Sequence, residues 1–99
     1  MKPLSGIRVI DFTTLLPGPM ATLILSEAGA EVIKIERPGG EDIRRSPPFI
    51  DDKSVMFSML NRGKRSIEID IKEKKNLEQI IRLIKSADVV VDQFRPGVM

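Results

Sequence analysis

Hydrophobic residues fall into short blocks whose spacing changes along the chain, and each change predicts an element. Residues 7–12 (IRVIDF) form a brief, β-rich apolar run, the pattern of a buried strand. Residues 13–18 break the run. Pro19 then opens a helix that places Met20, Leu23 and Ile24 on one face and stops at Gly29. Residues 31–36 (EVIKIE) alternate Val32, Ile33 and Ile35 with polar positions and predict a second strand. Residues 37–53, centred on PGGEDIRRSPP, are too rich in Pro and Gly for regular structure and read as a long loop. Ser54 caps a short helix through Leu60, with Met56, Met59 and Leu60 as its apolar face and Gly63 as its stop. Residues 66–71 (SIEIDI) alternate strictly and predict a third strand. The clearest helix covers residues 74–85, where Leu77, Ile80, Ile81 and Ile84 share one face. Residues 88–92 (DVVVD) predict a fourth strand, and residues 94–97 turn away from it.

Alternation of strand and helix predicts an α/β fold, a Rossmann-like parallel sheet with flanking helices. Ligands bind such sheets at the carboxyl ends of the strands, here residues 13–18, 37–45, 71–72 and 93–97. The sequence ends seven residues after the fourth strand, with no helix to cover it. A parallel sheet needs both faces covered, so the expectation is a partial fold: residues 1–99 as one piece of a larger domain, with no second domain.

Composition narrows the chemistry. With 99 residues there is room for one modest core, and 41% hydrophobic against 30% charged residues argues against disorder. The absence of Cys excludes disulfides and thiolate nucleophiles, and the absence of His removes the commonest general base and metal ligand. No metal site is expected. A net charge of +2 suits a small phosphate-bearing ligand better than a nucleic acid. No signal peptide or membrane-spanning run is visible, so the expected location is the cytoplasm, away from any membrane.

The first strand–turn–helix, followed by a strand ending in Glu36, has the outline of a dinucleotide site. Its turn reads TTLLPGPM rather than GxGxxG, and Pro17 and Pro19 each remove an N–H that a pyrophosphate needs. The plain reading of that turn is a helix start, with Pro19 a good first residue and Gly18 supplying a permissive backbone angle. The functional reading is a rigid turn presenting main chain, Leu15 and Leu16 to a ligand. Arg37, Arg44, Arg45, Lys64, Arg65 and Lys72 gather cationic groups near one sheet edge, as a polyphosphate requires, although such runs are often only solvated surface. Asp11 reads as a buried, paired carboxylate. No spacing demands an acid–base dyad, and no catalytic residue is assigned.

Taken together, LSGIRVIDFTTLLPGPMATLILSEAGAEVIKIERPGGEDIRR, LNRGKRSIEIDIK and ADVVVDQFRPGVM resemble the N-terminal part of the class III CoA-transferases, a family that includes the α-methylacyl-CoA racemases. The resemblance implies a Rossmann-like large domain, an interlocked homodimer, and acyl-CoA and a carboxylic acid as partners. Coenzyme A or its thioester is then a substrate rather than a permanently bound cofactor. Carried over by motif, Leu15, Leu16 and Pro17 line the CoA site through main chain, and Arg37 stacks on or bonds the adenine nucleotide. Ile69 and Lys72 contact adenine and phosphate, while Gln93, Phe94 and Arg95 close over the nucleotide.

Gln93 stands where transferases often carry asparagine, and LLPGP is closer to the racemase-like members. The aspartate nucleophile of the transferases, and the His–Asp and Glu of the racemases, lie downstream of the segments matched. Three activities therefore remain in view. The first is CoA transfer between carboxylic acids through a covalent aspartyl intermediate. The second is α-proton exchange on a 2-methylacyl-CoA. The third is a truncated, non-catalytic CoA-binding or dimer-forming protein; on its own the 99-residue chain is expected to be inactive.

Overall fold

Parallel strands require crossovers, and the alternating pattern supplies them. The computed structural model describes residues 2–92. In chain order the elements are β1 (Arg8–Asp11), α1 (Pro17–Glu27), β2 (Glu31–Glu36), a 3-10 turn (Asp42–Arg45), β3 (Phe49–Ile50), β4 (Lys53–Ser54), α2 (Val55–Leu60), β5 (Arg65–Glu68), α3 (Lys74–Ser86) and β6 (Val89–Val91). Strands β5, β2, β1 and β6 form the main sheet in that order, all pairs parallel. The fold is α/β, as the alternation predicts. The chain steps outward from β1 to β2 to β5, then returns through α3 to the far side of β1. That reversal is the topological switch at which such sheets open a crevice.

Side-chain parity divides the strands between two faces. Ile10, Phe12, Ile33, Ile35 and Ile69 are buried together, and Ile80, Leu83 and Ile84 of α3 pack on them. The opposite face buries Val9, Val32 and Ala30 with Leu25 of α1. Further toward the carboxyl ends this second face becomes polar: Asp11, Lys34 and Glu36 are each at most 2% exposed.

Four local expectations need correction. Helix α1 starts at Pro17 and buries Pro19 and Thr22, whereas Met20 and Ile24 are exposed. The helix is apolar nearly all round, so periodicity could not choose its inner face. Residues 37–53 are not structureless, because a 3-10 turn and a hairpin lie within them. Asp51 and Asp52 take left-handed φ values of 51° and 62°, the backbone of a two-residue primed turn. In α2 the Ser54 hydroxyl does accept the Phe57 N–H, but Leu60 is buried while Met56 and Met59 are exposed. Finally, Leu15 rather than Gly18 has the left-handed angle, with φ 67°. Gly18 is needed for closeness: a Cβ there would collide with the Thr13 side chain.

Candidate functional site

Where β1, β2 and β5 end, they leave a cavity of about 410 Å³. Its floor is the continuation of the α3-facing core: Phe12, Ile35 and Ile69, extended by Ile71. Strand pairing continues past β5, since the Ile69 N–H donates to the Glu36 carbonyl at 2.9 Å, and this keeps Ile69 level with the strand ends. Asp70 folds the next residues back. Its Oδ1 accepts the Lys72 N–H at 3.0 Å, and its carbonyl accepts the Asn76 amide at 3.0 Å. Lys72 thereby stands on the rim, exposed, and its ammonium has no ion-pair partner among the described residues. Arg37, Pro38, Glu41 and Asp42 form the opposite rim. An apolar floor with a cationic rim suits a flat ring tied to phosphate.

Three of the expected site residues, Arg37, Ile69 and Lys72, meet in this cavity. Leu15, Leu16 and Pro17 do not line it; they form the exposed turn beyond Thr14, which does. Gln93, Phe94 and Arg95 lie outside the described residues. Phe12, Thr14, Glu41 and Asp70 also line the cavity and were missed. Strand parity held the signal for Phe12, because it follows Ile10 by two and so continues the apolar face past the end of β1.

The cationic cluster expected along this edge is largely committed to internal partners. Arg44 grips Glu36 through two nitrogens at 2.6 Å, and its guanidinium lies 3.8 Å from the Phe57 ring centre. Arg45 donates to the Gly39 and Gly40 carbonyls, and Arg65 reaches back to Glu31 at 3.8 Å. Arg37 pairs with Asp42 at the surface. Lys64 is buried, with its ammonium 3.4 Å from Asp11, 3.0 Å from the Pro19 carbonyl and 2.7 Å from Asn61 Oδ1. Burial pushes the Lys64 pKa down, against the pull of Asp11.

Glu36 cannot play the ribose-binding part that its position suggests, since Arg44 takes both its oxygens and Ser66 and the Glu41 N–H add further bonds. Burial alone would raise its pKa; the hydrogen bonds from Arg44, Ser66 and the Glu41 main chain outweigh burial and hold it at about 2. Asp11 is buried and paired as expected. Its Oδ1 accepts the Thr13 N–H and hydroxyl at 2.8 and 2.5 Å, and its Oδ2 accepts the Thr22 hydroxyl at 2.6 Å.

Comparison with known proteins gives this geometry a family. Succinyl-CoA:mesaconate CoA-transferase of Haloarcula hispanica is 43% identical over 104 residues, covering 100% of this chain and 26% of that protein. Formyl-CoA:oxalate CoA-transferase of Rhodopseudomonas palustris is 48% identical, over 99% of this chain and 24% of its own length. The crystal structure of the hypothetical protein Rv3272 from Mycobacterium tuberculosis superposes on 100% of this chain and 27% of its own, with a TM-score of 0.90 and 44% identity. The chain thus spans about a quarter of the length of the relatives it matches. Among the described residues no helix is long and apolar enough to cross a membrane. The family model for CoA-transferase family III matches residues 4–99, and the chain belongs to that family.

Proposed function

We propose that the protein carrying this chain transfers CoA between carboxylic acids, and that the chain supplies the adenine-nucleotide end of its CoA site. The observation that carries the reading is the cavity with Ile69 on its floor and Lys72 and Arg37 on its rim, in a chain whose relatives are transferases named for succinyl-CoA and formyl-CoA. In this reading Ile69 packs on adenine and the Lys72 ammonium meets a phosphate. Arg37 stacks on or bonds the nucleotide, and the main chain of Leu15, Leu16 and Pro17 lines the CoA site. Gln93, Phe94 and Arg95 close over the nucleotide. Residues 1–99 form part of the large domain of an interlocked homodimer.

The chemical step belongs to an aspartate outside this chain. Its carboxylate attacks the thioester carbonyl and expels CoA thiolate, leaving a mixed anhydride. The thiolate attacks the aspartyl carbonyl of that anhydride, which frees the first acid and leaves CoA on the enzyme. The second acid then takes CoA through the same two steps in reverse. α-Proton exchange is the second reading, favoured by the LLPGP turn.

Incubating the complete protein with succinyl-CoA and isotopically labelled carboxylic acids, and separately with a 2-methylacyl-CoA in deuterated water, separates the two. Label entering the thioester pool supports transfer. Deuterium at the α-carbon of the 2-methylacyl-CoA without label exchange would replace transfer by racemisation.

A further inference from the structure

Two loops that approach the cavity are tied together by a buried ion pair that the proposed CoA contacts do not use. Lys34, in the carboxyl half of β2, is 0% exposed, and Glu41, in the loop after β2, is 1% exposed. The Lys34 ammonium ion-pairs with Glu41 Oε2 and donates to the Thr13 carbonyl at 2.8 Å. Glu41 Oε1 accepts the Leu15 N–H at 3.1 Å. Leu15 is a non-glycine residue in the left-handed region, a conformation that persists only where its surroundings impose it. Asp11 fixes the turn on one side of Leu15 through Thr13, and on the other through Thr22. Between those anchors, Glu41 is the side chain that holds the Leu15 main chain. A buried pair of this kind is often matched in stability by apolar residues of the same volume. What such residues could not reproduce is the directed acceptor for one N–H.

We infer that Glu41 is a positioning residue for the ligand-facing turn: braced by Lys34, it holds Leu15 in the left-handed conformation that presents Leu15, Leu16 and Pro17 outward. The inference rests on the proposed contact between this turn and CoA.

The test compares two double variants of the complete protein. Lys34→Met with Glu41→Gln removes both charges but keeps a carbonyl acceptor for the Leu15 N–H. Lys34→Met with Glu41→Leu removes the charges and the acceptor together. The Gln version is expected to bind CoA about tenfold more tightly than the Leu version at similar Tm, with the difference appearing in KM rather than kcat. Equal affinities in two folded variants would overturn the positioning role. If either double variant fails to fold, Glu41→Asp keeps the charge beside Lys34 but draws it back from Leu15; it is expected to raise KM, and an unchanged KM would overturn the role.

Hydrogen exchange of residues 13–21 in the unmodified protein, with and without CoA, identifies which idea fails. Protection by CoA together with equal variants removes the positioning role alone. No protection at saturating CoA removes the underlying contact and the inference with it.

Discussion

The two faces of the sheet are built from alternate residues of the same strands, yet they are held by different forces. Toward α3, Ile10, Phe12, Ile33, Ile35 and Ile69 form an apolar core whose strength follows buried area. Toward α1 and α2, Lys34 pairs with Glu41 and Lys64 with Asp11 in buried ion pairs, and buried Glu36 pairs with the half-exposed Arg44. Apolar packing is non-directional, so it fixes the layers without choosing a loop conformation. The ionic face is directional: its carboxylates reach Thr13, Leu15 and the main chain of Glu41, which lie in the loops at the carboxyl edge. The apolar face thus sets the cavity floor, and the ionic face sets the shape of the loops beside it.

Cutting the ionic face should have the largest effect. Asp11→Ala leaves the Lys64 ammonium buried without its counter-charge and is expected to cost about 3–5 kcal/mol in denaturant unfolding. Adding Lys64→Met should recover the part due to the unpaired ammonium and leave the part due to the lost Thr13 and Thr22 bonds; no recovery would mean that Asp11 and Lys64 act separately.

Acid should expose the next largest difference. Glu36 has a folded pKa of about 2 against an ordinary 4.5, so its contribution is complete above about pH 4.5 and is lost as pH falls toward 2. That loss is on the order of 2–3 kcal/mol. Glu36→Gln should flatten stability across this window, and an unchanged acid limb would contradict the Arg44 clamp.

Gly18→Val should cost about 1–3 kcal/mol, because the new Cβ meets Thr13. A neutral result would show that the turn can yield. Ile33→Val on the apolar face should cost least, about 1 kcal/mol, with CoA affinity unchanged. A loss of affinity there would break the division of labour between the faces.

Among the described residues, the four main-sheet strands and the three helices were legible in the sequence, because apolar spacing reports which side of an element is covered. The inner face of α1 was not, since nearly every side of it is apolar. The hairpin at residues 49–54 was hidden because two-residue strands carry no periodicity. Arg37, Ile69 and Lys72 were legible as a group from the strand ends and the family motifs. The fates of Arg44 and Lys64 were not, because their partners Glu36 and Asp11 stand 8 and 53 positions away. Charge in a sequence does not say whether it faces a ligand or another residue; only the folded contact decides.

If the carboxyl edge of the sheet holds CoA, the exposed Lys72 ammonium is where binding should respond first. Titrating CoA into the complete protein and its Lys72→Ala variant at one ionic strength should show binding weaker by about 1–3 kcal/mol. Arg37→Ala should lose less, because Arg37 already shares its charge with Asp42. Lys85→Ala, on the last turn of α3, should lose nothing. Equal CoA affinity in the Lys72→Ala and unmodified proteins would remove the carboxyl edge as the CoA site.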